Sequence, residues 1–236
     1  MKLFPIVATM MAFAFASDMV VAKHTQLMLD IEKQNFKLLD PLHHYTSGMK
    51  SVFSQDTTDN MIIIRQALGG AGYSAWSGLP RIIEDYSPQV TFEGDNTVMA
   101  QQCTNYLLKQ AKKAYQGKDR TKIDAVFGYL NEMDNLMAKK CSAKAVQDFL
   151  NLDLIEEALK VKVVAQLRPL MKKLRESKVS KKDFTNLHNG IDLVQLAQDH
   201  IRYVAFWHFR DRIAGDKIKC QNLRRLLEIL CMLYGL

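Results

Sequence analysis

The sequence predicts an all-α fold of helices packed side by side. Three observations predict it. Apolar residues recur at helical spacing over long stretches, as in Ile155, Leu159, Val163 and Leu167. Chain breakers are scarce, with 11 Gly and 5 Pro in 236 residues, so few sharp turns are available. No segment alternates in the manner of a strand, and no internal repeat occurs. Apolar residues make up 48% and charged residues 24%, the balance of a globular chain large enough for one or two domains with a real core.

The elements follow in order. Leu3 to about Phe36 reads as one amphipathic helix, with Pro5 in its first turn, where a missing N–H costs little. Met1-Lys2 and the apolar run Leu3 to Ala16 also have the form of a secretory signal, with Ala14-Phe15-Ala16 as a cleavage-like tripeptide. The apolar pattern continues at helical spacing through Val20, Leu27 and Ile31, which favours a helix of the fold. The run to Ala16 is too short for a membrane span. Asp40-Pro41 should close this region, and His43 to Gln55 reads as polar and irregular.

Asp56-Thr57 then caps a helix through Met61 to Leu68, and Gly69 stops it. Residues 70 to 92 hold Gly, Ser and Pro and predict loop, with one helical turn near Arg81 to Asp85. Asp95 or Asn96 caps the next helix. It presents Val98, Cys103, Tyr106, Leu107 and Ala114, and stops near Gly117. Shorter helices in a charged setting fill 118 to 148. Asn151 or Asp153 starts a long helix that Pro169 kinks or ends. A polar hinge at Ser177 to Asp183 leads to a helix from Gly190 through Phe209, whose face carries Leu193, Leu196, His200, Val204 and Trp207. A last helix covers Cys220 to Leu236. Gly117 is the expected boundary between one bundle (1–117) and a second (118–236).

The formal charge of +7 permits acidic partners. The lysines, including Lys172-Lys173 and Lys178 to Lys182, read mainly as solvated helix faces. Aromatic and basic residues do not interleave, so nothing points to nucleic acid. Cys103, Cys141, Cys220 and Cys231 form no CxxC pair and read as reduced, mostly structural thiols. His43-His44 alone is no metal site, and His200 and His208, eight apart on one helix, lack a third ligand. No metal is expected. Ser51, Ser54 and Ser74 lack a G-x-S-x-G setting. There is no GxGxxG or P-loop. Met10, Met11, Met19 and Met28 read as core.

The segment Arg65 to Val98, RQALGGAGYSAWSGLPRIIEDYSPQVTFEGDNTV, resembles the carboxyl-terminal helical part of acyl-CoA oxidases, flavin-dependent relatives of the acyl-CoA dehydrogenases. KLFPIVATMMAFAF near the start, and Ile191-Asp192-Leu193-Val194 with His200, Tyr203 and Val204, are similar to flanking helices of that family. The resemblance implies an all-α bundle followed by a second, incomplete one. It implies that family members carry an amino-terminal helical domain and a β-domain ahead of this region, which these 236 residues do not contain.

What the resemblance implies for chemistry is specific. Glu93, in TFEGDN, falls at the catalytic base, 24 positions after Gly69. In the implied reaction a base takes the α-proton of a fatty acyl-CoA while hydride leaves the β-carbon for FAD. Oxygen then reoxidises the flavin and yields hydrogen peroxide. Burial beside an acyl chain would raise the carboxylate pKa, and the following helix amino terminus would lower it. Gly94 would let the thioester approach the backbone. Gln66, Gly69 and Gly70 match positions that touch the adenosine end of FAD, usually a neighbouring subunit's. Asp95, Asn96 and Thr97 would meet flavin phosphate or ring atoms. Ala71 departs from the family's frequent GGHGY. A homodimer or larger assembly and peroxisomal β-oxidation are implied, although the terminal Tyr-Gly-Leu is not a Ser-Lys-Leu signal. The alternative is a non-catalytic, oxidase-derived assembly protein.

Overall fold

The computed structural model describes residues 2–115, 124–180, 183–215 and 218–236. Nine α-helices are present among them: α1 (Leu3–Ile31), α2 (Leu39–Ala67), α3 (Gly70–Tyr73), α4 (Leu79–Tyr86), α5 (Asn96–Tyr115), α6 (Met133–Ala138), α7 (Leu152–Glu176), α8 (Gly190–Ala214) and α9 (Gln221–Gly235). Short 3-10 stretches and a π-helical turn at Phe184–His188 join them. No strand occurs among the described residues, so the fold is all-α, as the apolar periodicity predicts.

Helix α8 sits at the centre. Its buried residues lie on several faces, from Leu193, Leu196 and Ala197 to Val204, Ala205, Phe206 and Phe209, the pattern of a helix covered on most sides. Helices α1, α2, α5, α7 and α9 all pack against it. The resulting core joins side chains from both halves of the chain, including Ala12, Leu107, Leu167 and Leu227. Gly117, the expected boundary, lies outside the described residues, as do Lys181 and Lys182.

Several elements differ from the sequence reading. Pro41 does not close a helix. It lies in the first turn of α2, where its missing N–H is one that has no intrahelical partner. Helix α2 then runs unbroken through the segment expected to be irregular. Its polar residues satisfy themselves: the hydroxyls of Thr46, Ser54 and Thr58 donate to carbonyls one turn back. Asp56 is no cap. It lies mid-helix and accepts two bonds from Arg202 of α8, at 3.2 and 2.7 Å.

Residues 70 to 92 are more helical than expected, holding α3, α4 and two 3-10 turns. Helix α1 ends at Ile31, short of Phe36. Its apolar stretch extends well past Ala16, and an 18-residue window reaches a mean hydropathy of 1.8. By length and composition alone α1 is long and apolar enough to cross a membrane, a test that the core helix of a globular fold also passes. In this fold Ile6, Ala8, Ala12, Phe13, Ala16 and Leu27 are buried. Helix α7 is capped by Asn151, whose Oδ1 accepts from the amides of Asp153 and Leu154, and it continues through Pro169 rather than ending there.

Three helices meet closely at Gly48. A Cβ there would lie 2.5 Å from Ile201 Cδ1 and 2.7 Å from Cys103 Sγ, so only glycine lets α2 approach α5 and α8 this tightly. One turn away, His44 is fully buried on α2 instead of lying in a loop. Its Nδ1 bonds the Cys103 carbonyl at 2.9 Å, and its Nε2 faces Nε2 of His200 at 3.2 Å. His200 Nδ1 pairs with the Tyr129 hydroxyl at 2.9 Å. This buried relay ties α2, α5, α8 and the 3-10 stretch Ala125–Glu132 together.

Candidate functional site

The TFEGDN segment forms the turn into α5. Glu93 has φ 56° and Gly94 φ 105°. A glutamate in the left-handed region is uncommon and costs on the order of 1–3 kcal/mol, so surrounding contacts must hold it. Helix α2 supplies them. The Lys50 ammonium donates to the Gly94 carbonyl and to Asn96 Oδ1, the latter at 2.9 Å. Ser51 Oγ donates to the Asn96 carbonyl at 2.7 Å, and Ser54 Oγ to Asn96 Oδ1 at 3.1 Å. Asp95 caps the helix, its Oδ1 accepting from the Thr97 amide at 2.8 Å.

The turn is thus clamped by one face of α2, and the Glu93 carboxylate is left exposed. Partial burial pulls the Lys50 ammonium below its usual range, while Asp95 and Glu93 push it back. In the sequence, Ser51 and Ser54 are weighed only as hydrolase serines, and Lys50 is not singled out. The one available signal was their shared helical spacing, hidden because the segment read as irregular.

Gln66, Gly69 and Gly70 lie elsewhere. They close α2 and open α3, and all three are exposed. Gly69 has φ 58°, which stops the helix as expected. Gln66 lies 12 to 16 residues beyond the Lys50–Ser54 clamp, on the order of 20 Å along α2 at 1.5 Å per residue. The structure therefore brings Glu93, Gly94, Asp95, Asn96 and Thr97 together and places the diglycine station apart. An extended ligand could reach both.

Two local features suit a bound cofactor. Asn96 Nδ2 is buried and has no hydrogen-bond partner among the described residues, so it offers a donor to an acceptor atom. A Cβ on Gly70 would meet nothing within 4 Å, so its backbone is open to close approach. Around these stations Leu68, Tyr73, Trp76, Ile82, Phe92 and Val98 are exposed, Trp76 completely. Exposed apolar groups in such number mark a contact surface. Cys103 and Cys231 are buried and Cys141 and Cys220 exposed, all free. No cluster of three metal-ligating side chains occurs among the described residues.

Comparison with known proteins agrees across the chain. The family model for the acyl-CoA oxidase C-alpha1 domain matches residues 1–108, and a second acyl-CoA oxidase model matches residues 151–236. Peroxisomal acyl-coenzyme A oxidase 1 of Phascolarctos cinereus is 33% identical over 244 residues, covering 100% of this chain and 36% of that protein. The Homo sapiens protein of the same name is 29% identical over 243 residues, with the same coverage. Arabidopsis thaliana acyl-CoA oxidase 1 superposes with TM-score 0.89 at 26% identity, covering 99% of this chain and 35% of the other. Acyl-CoA oxidase-1 of Caenorhabditis elegans, solved with FAD and ATP, shares the fold at TM-score 0.75 and 24% identity, covering 98% of this chain and 34% of the other. The chain spans about a third of the length of the curated relatives it matches. With matches over both halves, and a helical fold shared nearly end to end, the chain belongs to the acyl-CoA oxidase family, of which it represents the carboxyl-terminal helical region.

Proposed function

We propose that this chain provides the catalytic base and one wall of the cofactor site of an FAD-dependent acyl-CoA oxidase. The observation that carries the reading is the clamped turn: Lys50, Ser51 and Ser54 hold Glu93 at a positive φ with its carboxylate free. Glu93 takes the α-proton of a fatty acyl-CoA. Gly94 leaves room beside the backbone for the thioester. Asp95, Asn96 and Thr97 face the flavin side, Asn96 through its unpartnered amide nitrogen, and Gln66, Gly69 and Gly70 receive the adenosine end. FAD, when bound, supplies the acceptor for the β-hydride and passes its electrons to oxygen. Glu93 meanwhile keeps the proton it has taken.

Residues 1–117 would form the flavin-side bundle and 118–236 the second helical unit, a division of role within one shared core. We extend to this chain the peroxisomal setting that its relatives' names carry, and propose a homodimer or larger assembly. The test is Glu93→Gln in the native polypeptide. It should retain flavin and lose turnover by about 10²–10⁴-fold; full turnover would overturn the assignment.

A second reading is favoured by the exposed Trp76, Tyr73 and Leu68: an oxidase-derived protein that docks a partner and performs no chemistry. Flavin retention by the native polypeptide separates the two, since only the first requires it.

A further inference from the structure

A cleft of about 1120 Å³ opens between the carboxyl end of α5, the Ala125–Glu132 stretch leading into α6, and α7. It is remote from Glu93. Lys112, on its wall, lies 16 residues along α5 from Asn96, on the order of 25 Å. The floor is apolar: Leu108, Leu130 and Met133 are buried, and Met137, Met171 and Leu174 extend it. Unbranched, flexible methionines accommodate chains of varying length and shape.

The mouth is charged. Lys112, Arg168, Lys172 and Arg175 line it against only Glu132 and Asp134. Arg168 is paired with Asp134 at 3.0 Å, and Arg175 reaches Glu176 at 3.9 Å. Lys112 and Lys172 make no ion pair among the described residues. A cationic rim over an apolar trough complements a molecule with one anionic head and one hydrocarbon tail. Tail burial is favourable in proportion to apolar area removed from water, and the rim selects the sign of the head. The volume lies just above the usual range of small-molecule sites, enough to hold a long hydrocarbon chain.

We propose that this cleft binds the acyl chain of an anionic amphiphile, with its head held between Lys112 and Lys172. Free fatty acids and fatty acyl-CoA share that chemistry. The site is separate from the Glu93 turn and does not depend on the reading given to it.

Isothermal titration calorimetry on the 236-residue chain tests it, with sodium laurate below its micelle concentration as probe. One laurate should bind per chain, and dodecyltrimethylammonium, with the same tail and opposite head, should bind at least tenfold more weakly. Lys112→Glu with Lys172→Glu should weaken laurate at least tenfold. Ala165→Trp, at an exposed α7 position lining the cleft, should abolish binding without changing helical content, and Glu93→Gln should leave it intact. Lauroyl-CoA distinguishes the sources. Displacement of laurate with tighter binding supports the thioester, and failure to displace it supports the free acid. No laurate binding, equal binding of the cationic probe, or binding unaffected by both the lysine pair and Ala165→Trp overturns the proposal.

Discussion

Lowering the pH should unlock the buried relay of His44, His200 and Tyr129. Only one proton fits between the two Nε2 atoms at 3.2 Å, and His44 Nδ1 is committed to the Cys103 carbonyl. A second proton would set N–H against N–H in a dry site ringed by Tyr45, Tyr106 and Phe127. Desolvation pulls His44 from 6.5 down to about 4, and pulls His200 well below its usual value with help from His44. Both are depressed in the fold, so the unfolded chain binds more protons between the two pKa values. Their stabilisation is complete above pH 6.5 and is lost as pH falls towards 4. For His44 alone the difference corresponds to about 3 kcal/mol, a large share of a typical 5–15 kcal/mol. Urea unfolding followed by circular dichroism at pH 7.5, 6 and 5 measures it. Stability should fall by roughly 1.4 kcal/mol per pH unit for each buried histidine once below 6.5. His44→Phe with His200→Phe should flatten that dependence. An unchanged slope in the double variant would refute the reasoning.

Other outcomes follow from the same contacts. Lys50→Met removes the donor to Gly94 and Asn96, and amide hydrogen exchange at Gly94 to Thr97 should quicken at least tenfold while α7 and α8 stay protected; uniform exchange would show that the clamp is not Lys50. Gly48→Ala forces a methyl onto Ile201 and Cys103 and should cost about 1–3 kcal/mol, partly recovered by Ile201→Val. No recovery would mean that the crossing is not set by those side chains. His208 is also pulled down to about 4 by burial, so His208→Gln should remove a smaller part of the acid sensitivity, read from the same unfolding curves.

How far each element was legible depends on where its partners lie. Helices α5, α7 and α8 carry apolar residues at regular helical spacing, and that pattern, with Asn151 and Asp95 as caps, marks them in one dimension. The first half of α2 carries Leu42, Tyr45, Met49 and Val52 at helical spacing, but polar residues interleave with them. His44, Ser47, Ser51 and Ser54 are buried polar residues, and they resemble a loop until their partners are known. Those partners are far away in the chain: His200 is 156 positions from His44, and Arg202 is 146 from Asp56. The Glu93 turn stands out through its TFEGDN motif. Its support does not, because Lys50 lies 44 residues before Gly94.

Local chemistry in the sequence thus determined the all-α class, the caps at Asp95 and Asn151, the stop at Gly69 and the family of the Glu93 motif. Propensity, capping and short motifs act over a few residues and can be read in order. Tertiary structure alone decided that α2 is continuous, that two histidines share one proton in the core, and that a lysine and two serines hold Glu93 in place. Burial and hydrogen-bond pairing across helices depend on distances in space, which a linear pattern does not contain.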